Sequence, residues 1–299
     1  MKRRIIIVAR WRFWKRKFLP IPSKSNNNLK AGILKKETMD RNYFYTVMGG
    51  DGRLDYEKYI DAQALLSCQK DYSEFCNEDE LQFQVVHQIT ELWMKVIAYT
   101  LLELDERLER GETNRGLTLF RRLHLIQEAM IDLLKLLDTM SPKAYQEIRV
   151  RLGQGSVRES PNYRAMVRMH QPVWRTFKTR YLDEAGVTCN EIYDSGYACC
   201  DAYLIAEAFV KYDELFQRWR FHHVQMVHRT IGPSATSLRG NPVQGLNDGL
   251  RSKLFPELWE IRSRMTDDWT EMHGPVRPNL DPPAASGGCP YAAEQATYG

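Results

Sequence analysis

Trp219-Arg220-Phe221-His222-His223-Val224-Gln225-Met226-Val227-His228-Arg229 closes a long helical pattern and sets a histidine in the middle of a greasy helix face. With His223 as origin and a step of about 100° per residue, Tyr212, Phe216, Trp219, Met226 and Val227 fall within roughly 60° of it. His222 and His228 point well away. A neutral imidazole in apolar surroundings near the end of a stable helix is how proteins usually offer a nitrogen to haem iron. A core histidine hydrogen-bonded to a backbone carbonyl fits the same residues, and this stretch alone leaves both readings open.

Outward from that helix the pattern stays helical, with few strand signals, from about Asp61 to Asp268. Asn77 and Glu80 have the spacing of a capping box, N-cap and N3, opening a helix that runs towards Arg110. On it Val85, Ile89, Leu92 and Val96 form an aliphatic stripe expected to face the bundle core. Phe83, His87, Glu91 and Met94 occupy a second face, part aromatic and part polar, that reads as a pocket wall or a solvated face. A Leu- and Ile-rich helix is expected over Leu117 to Thr139, stopped by Ser141-Pro142, and a short helix follows it. Gly153 to Pro161 is irregular, with glycines that permit tight turns near a ligand. The long helix spans Tyr197 to Thr230 and is broken at Gly232-Pro233. Ser234 to Gly245 is then a polar loop, and a last helix covers about Phe255 to Thr270. The expected fold is all-α, one helical bundle with two loops available to cover a site.

Bulk properties narrow the function. The 299 residues suffice for a full core. No apolar run approaches the ~20 residues of a membrane span, so no membrane partner is expected. Six cysteines show no CxxC pair and no regular ladder, which argues against structural zinc and a disulfide framework and for a reducing, cytoplasmic setting. The net charge of +4 hides an asymmetry: residues 1–38 carry twelve Lys/Arg against Glu37 alone, leaving the remainder at −7. An acidic body does not suit nucleic acid. Residues 1–38 read as a disordered basic extension, either a targeting peptide or an over-long start ahead of Met39, the latter preferred. Residues 39–274 are the expected domain, and 275–299, rich in Pro, Gly, Ala and Ser, a disordered tail.

No GxSxG elbow, Walker loop, HExxH or strand-borne GxGxxG is present. Three elements stand out instead: Phe83-x-x-x-His87-Gln88-x-x-Glu91-Leu92-Trp93-x-Lys95, Arg149-x-x-Leu152-x-x-x-Ser156, and Trp219-x-x-x-His223 followed by Gly232 and the polar loop. Together, in this order, they resemble the tryptophan 2,3-dioxygenase family of haem proteins over roughly Leu54 to Thr270. The resemblance implies haem b held by His223, with Trp219 packed beside it and Ser156 contributing to the cofactor pocket. It implies that His87 meets the indole N–H and Phe83 walls the substrate. Arg149 grips the substrate carboxylate with its planar fork, and Tyr145 lies on the same helix face. It further implies that Tyr56 and Tyr59 come from a neighbouring subunit of a homotetramer, and that L-tryptophan or a derivative reacts with O₂. His228 is read as structural. Glu91, Lys95, Arg158 and Arg164 are read as fold or surface ion-pair residues. Without the family context an arginine such as Arg149 is more often a surface ion pair, and Tyr56 and Tyr59 are more often core or interface.

Two departures from the family pattern bear on substrate. Thr236-Ser237-Leu238-Arg239-Gly240-Asn241-Pro242 replaces a glycine-rich loop, with Ser237 at the place of the substrate-binding threonine. Val157 stands where a glycine is usual, and would be strained if that position had positive φ. Such divergence looks like a bacterial side branch of the family. The leading expectation is a dioxygenase yielding N-formylkynurenine. The alternatives are a haem-dependent monooxygenase of a modified tryptophan or related aromatic amino acid, a non-catalytic haem-binding protein, and a helical protein without cofactor.

Overall fold

A computed structural model describes residues 39–153, 155, 157–194, 200–238, 240, 242–243 and 245–274. Ser156, Tyr197 and both terminal segments named above lie outside the described residues. The chain divides into two compact units, one ending at Gln63 and one beginning at Ala64. The first holds α1 (Arg41–Gly49) and α2 (Asp55–Tyr59), neither of which buries a residue. The boundary falls inside α3 (Ala62–Leu66).

The second unit is all-α. Its frame is α4 (Glu80–Glu109), α5 (Thr113–Leu137), α6 (Pro142–Leu152), α7 (Pro161–Phe177), α8 (Cys189–Asp194), α9 (Asp201–Ile231), α10 (Gly245–Arg251) and α11 (Pro256–His273). α5 packs on α9 and α4, and α4 also packs on α7. Among the described residues the only β feature is an isolated antiparallel bridge, Thr236 with Pro242.

Local chemistry explains the helix limits. Ser141 and Ser160 each accept from the backbone N–H three residues on, and Pro142 and Pro161 take the first helical positions of α6 and α7. α9 starts at Asp201 because Cys200 is extended and its sulfur accepts from Tyr203 N. It stops at Gly232, whose φ of 89° ends the helix while its N–H reaches the His228 carbonyl at 2.9 Å. α7 carries Pro172 and runs into a π segment, Lys178–Asp183.

Two expectations need correcting. The side chains of Asn77 and Glu80 do not form a reciprocal box. Asn77 Oδ1 accepts from Asp79 N, and the Glu80 carboxylate accepts from Cys76 N at 2.6 Å and from Lys70. α4 therefore begins at Glu80. The stripe Val85, Ile89, Leu92 and Val96 is also not the core face: Leu92 is 51% and Val96 39% exposed. Val86, Met94, Ile97, Leu101, Leu104 and Leu108 are buried instead, roughly a third of a turn away at the helix step. α4 is apolar on two faces, and contact with α5 and α7 selects one of them.

Candidate functional site

The long helix presents the face expected of it. Tyr212, Phe216, Trp219 and Met226 are buried and His223 and Val227 are half-buried, whereas His222 and His228 line a separate shallow cavity with Asp138 and Arg229. Trp219 stacks on His223 with centroids 5.9 Å apart. Burial, reinforced by the charge of His87, pulls the His223 imidazole down to about 4, so it is neutral at physiological pH with a free lone pair.

α4 carries the second imidazole. The Phe83 and His87 rings lie 4.2 Å apart, and His87 Nδ1 sits 2.7 Å from the Phe83 carbonyl oxygen. A carbonyl only accepts, so Nδ1 carries the proton and Nε2 is left as an acceptor. His87 keeps an exposed edge, yet desolvation by its neighbours lowers its pKa, against the opposing pull of the Phe83 carbonyl and Glu91. Glu91, read from sequence as a fold or ion-pair residue, accepts from Asn162 Nδ2 at 3.0 Å and so ties α4 to α7.

α6 is tied to the start of α4. Asn77 Nδ2 donates to the Ala144 carbonyl and to Glu147, both at 3.0 Å, pinning α6 to the start of α4. This brings Tyr145 to within 6.1 Å of Phe83, ring to ring. Burial raises the Tyr145 hydroxyl, and the Arg149 charge offsets part of that rise. Arg149 Nη2 donates to the Thr236 carbonyl at 2.7 Å, and Nη1 to Gln146 Oε1 at 3.3 Å.

The loop after α9 thus meets the arginine at the residue before half-buried Ser237. It is a compact turn: Gly240 N donates to the Ser237 carbonyl, Val243 N donates to the Ala235 carbonyl, and Gly240 takes φ 78°. Val157 opens a 3₁₀ turn, Val157–Glu159, and is not among the positive-φ residues, so the strain considered for it does not arise. Tyr56 and Tyr59 lie on α2 in the other unit and are 72% and 91% exposed.

Sequence reasoning missed two members of this region. Tyr163, on α7, lies 6.3 Å from Trp219. The Thr236 carbonyl is a backbone group with no residue signature. The Ser160-Pro161 start signal would have announced α7.

The residues present suit a porphyrin. Haem would need a nitrogen donor from the protein, and the neutral His223, among flat aromatic neighbours, would hold it. Trp219 Nε1 is buried with no acceptor among the described residues, a donor that a cofactor carboxylate would satisfy. Among the described residues no three His, Cys, Asp or Glu side chains converge on a common metal position.

A model of the tryptophan 2,3-dioxygenase family matches residues 46–171 and 174–265. Curated proteins named tryptophan 2,3-dioxygenase are similar over most of their length. One from Anaeromyxobacter sp. (strain K) is 29% identical over 257 residues, covering 71% of this chain and 96% of the relative. One from Myxococcus xanthus (strain DK1622) is 27% identical, covering 72% and 91%. One from Bacillus cereus (strain ATCC 10987 / NRS 248) is 26% identical, covering 71% and 93%.

Proposed function

The chain belongs to the tryptophan 2,3-dioxygenase family and is an oxygenase, and from that premise we propose that it inserts both atoms of O₂ across the indole C2–C3 bond of L-tryptophan, or a close derivative, to give N-formylkynurenine. The observation that carries this reading is the meeting of Arg149 with the Thr236 carbonyl, beside Ser237. Haem b, held by the lone pair of His223, would supply the activation of O₂. Every other task falls to the chain itself.

Arg149 is the only one of these side chains with a planar pair of donors, and it offers them to the substrate carboxylate. The Ser237 hydroxyl and the adjoining carbonyls are suited to the ammonium group. His87 Nε2, kept as an acceptor by the Nδ1–H bond to Phe83, takes the indole N–H and orients the ring. Phe83 and Tyr145 supply the apolar wall that keeps water from the ring. Carboxylate, ammonium and indole N–H held at three separate points would select the L-enantiomer.

The assembly we propose is a homotetramer, with Tyr56 and Tyr59 reaching a neighbour's site and the exposed α4 stripe of Leu92, Val96 and Tyr99 available for subunit contact. Residues 39–274 would act as its catalytic body and the cytoplasm would be its compartment. Among the described residues no helix is long and apolar enough to cross a membrane.

The rebuilt loop at Thr236 to Val243 favours a second reading, a monooxygenase acting on a modified tryptophan or related aromatic. Turnover of the haem-loaded protein with L-tryptophan under ¹⁸O₂ separates the two. Two labelled oxygens in N-formylkynurenine support the first reading, and one labelled oxygen in an oxindole or phenol replaces it with the second.

A further inference from the structure

The shallow cavity beside His222 and His228 has no part in tryptophan oxidation. It lies where the end of α5 meets the last turns of α9 and is lined by Asp138, His222, Gln225, Met226, His228 and Arg229. Its volume of about 400 Å³ is that of a small-molecule site. Met226 is buried, His222 and His228 are half-buried, and Asp138 and Arg229 are exposed.

The polar groups of this cavity lack partners. His228 Nε2 is buried with no hydrogen-bond partner among the described residues, which is costly unless a ligand or water meets it. Arg229 and Asp138 bring opposite charges to one cavity, yet among the described residues neither forms an ion pair. Asp132, an acid that feels Lys135 first and His222 last, is already paired with Lys135 at 2.5 Å.

The balance of donors and acceptors narrows the occupant. Arg229, both imidazoles and the Gln225 amide can donate, whereas the fixed side-chain acceptors are the Asp138 carboxylate and the Gln225 oxygen. An ammonium group, with three N–H bonds and no lone pair, suits that set badly. A tetrahedral oxyanion with an O–H suits it well. Its bare oxygens accept from Arg229, His222 and His228, and its O–H donates to Asp138. Sulfate has no such proton at neutral pH and would set its charge against the Asp138 carboxylate.

We propose that this cavity binds a phosphate solute carrying an O–H donor, either hydrogen phosphate itself or a small hydroxylated phosphate monoester. Isothermal titration calorimetry of the full chain at neutral pH and constant ionic strength tests this with inorganic phosphate, glycerol 1-phosphate and sulfate. Saturable binding of phosphate with a preference of about tenfold or more over sulfate is expected. Tighter binding of glycerol 1-phosphate assigns the site to the monoester, and tighter binding of inorganic phosphate assigns it to the free ion. Arg229→Gln should weaken the phosphate isotherm by about tenfold or more, the worth of one charge-assisted hydrogen bond. Asp138→Asn should keep phosphate binding but admit sulfate with comparable affinity, a change that loss of fold would not produce. Equal affinity of the unaltered chain for phosphate and sulfate overturns the proposal, as does an isotherm indifferent to Arg229→Gln or the absence of phosphate binding. None of these readouts involves hemin or tryptophan, so the oxygenase reading stands or falls separately.

Discussion

Asp213 is the most heavily used buried charge in the described structure, and its removal is a direct test of how α9 holds the segment that leads into α11. The side chain is fully buried. Its Oδ2 accepts from Trp259 Nε1 at 2.8 Å, Leu254 N at 3.0 Å and Phe255 N at 3.3 Å, while Oδ1 accepts from Gln217 Nε2 at 3.0 Å. Together these bonds fasten the start of α11 to α9 nearly three turns before His223. A net hydrogen bond to a charged acceptor is worth about 1.5–3 kcal/mol, and each buried donor left unpaired costs about 1–3 kcal/mol. Relief of the buried charge offsets part of that loss. Asp213→Ala is therefore expected to cost about 3–5 kcal/mol, in the range reserved for broken buried networks. For a unit of this size each kcal/mol lowers Tm by about 2–4 °C, so the melt should fall by roughly 6–20 °C. Asp213→Asn keeps the volume and one acceptor and should fall by less than half as much. Thermal unfolding followed by far-ultraviolet circular dichroism reads both, with Glu106→Ala, an exposed change, as control. If Asp213→Ala melts within about 2 °C of that control, the carboxylate is not what secures α11, and the reasoning fails.

Arg149→Ala should weaken L-tryptophan binding by about 2–4 kcal/mol while hemin uptake is unchanged; equal loss of both in parallel optical titrations would remove Arg149 from the substrate clamp. Burial opposes ionisation of Glu80, yet bonds from Lys70 and from Cys76 N hold its carboxyl down to about 2, so its stabilisation is present above about 4.5 and is lost as pH falls through about 2. Glu80→Gln should cost about 1–3 kcal/mol in urea unfolding at neutral pH, the deficit shrinking in acid, and a deficit independent of pH would contradict this. Burial pulls His170 down to about 3, so below about 6.5 the unfolded chain gains a proton that the folded chain refuses, and stability declines until about pH 3. His170→Phe, although it leaves the Tyr212 hydroxyl without its 3.0 Å partner, should flatten that decline by up to about 1.4 kcal/mol per pH unit, and an unaltered slope would show that His170 is not the proton acceptor. Leu92→Glu on the exposed face of α4 should reduce the assembly mass in sedimentation while changing helical stability by less than about 0.5 kcal/mol; an unchanged mass would clear that stripe of any role in assembly.

The parts of the site that sequence reading reached are those where one helix face has a single job. The His223 face could be read because Tyr212, Phe216, Trp219 and Met226 repeat at the helix period and the opposite positions do not compete with them. α4 defeats the same reasoning because Val85, Leu92 and Val96 and the row from Met94 to Leu108 are both apolar, and hydrophobicity does not say which row meets α5 and α7 and which is left for another surface. Arg149 was legible as a residue type but not as a contact, since its nearest acceptor is the Thr236 carbonyl, a group every residue carries. Tyr163 stayed invisible because its partner Trp219 is 56 positions further along the chain. The pattern is physical: periodicity reports what each helix must hide, whereas the pairing of helices is settled by side-chain shape and by backbone acceptors that leave no letter in the sequence. The loop after α9 is the sharpest case. Its glycine pattern departs from the family, yet Gly240 at φ 78° and the Gly240 N–H to Ser237 carbonyl bond still fold it back beside Arg149. One tight turn suffices to set the Thr236 carbonyl against the Arg149 guanidinium, so this contact is made without a run of glycines.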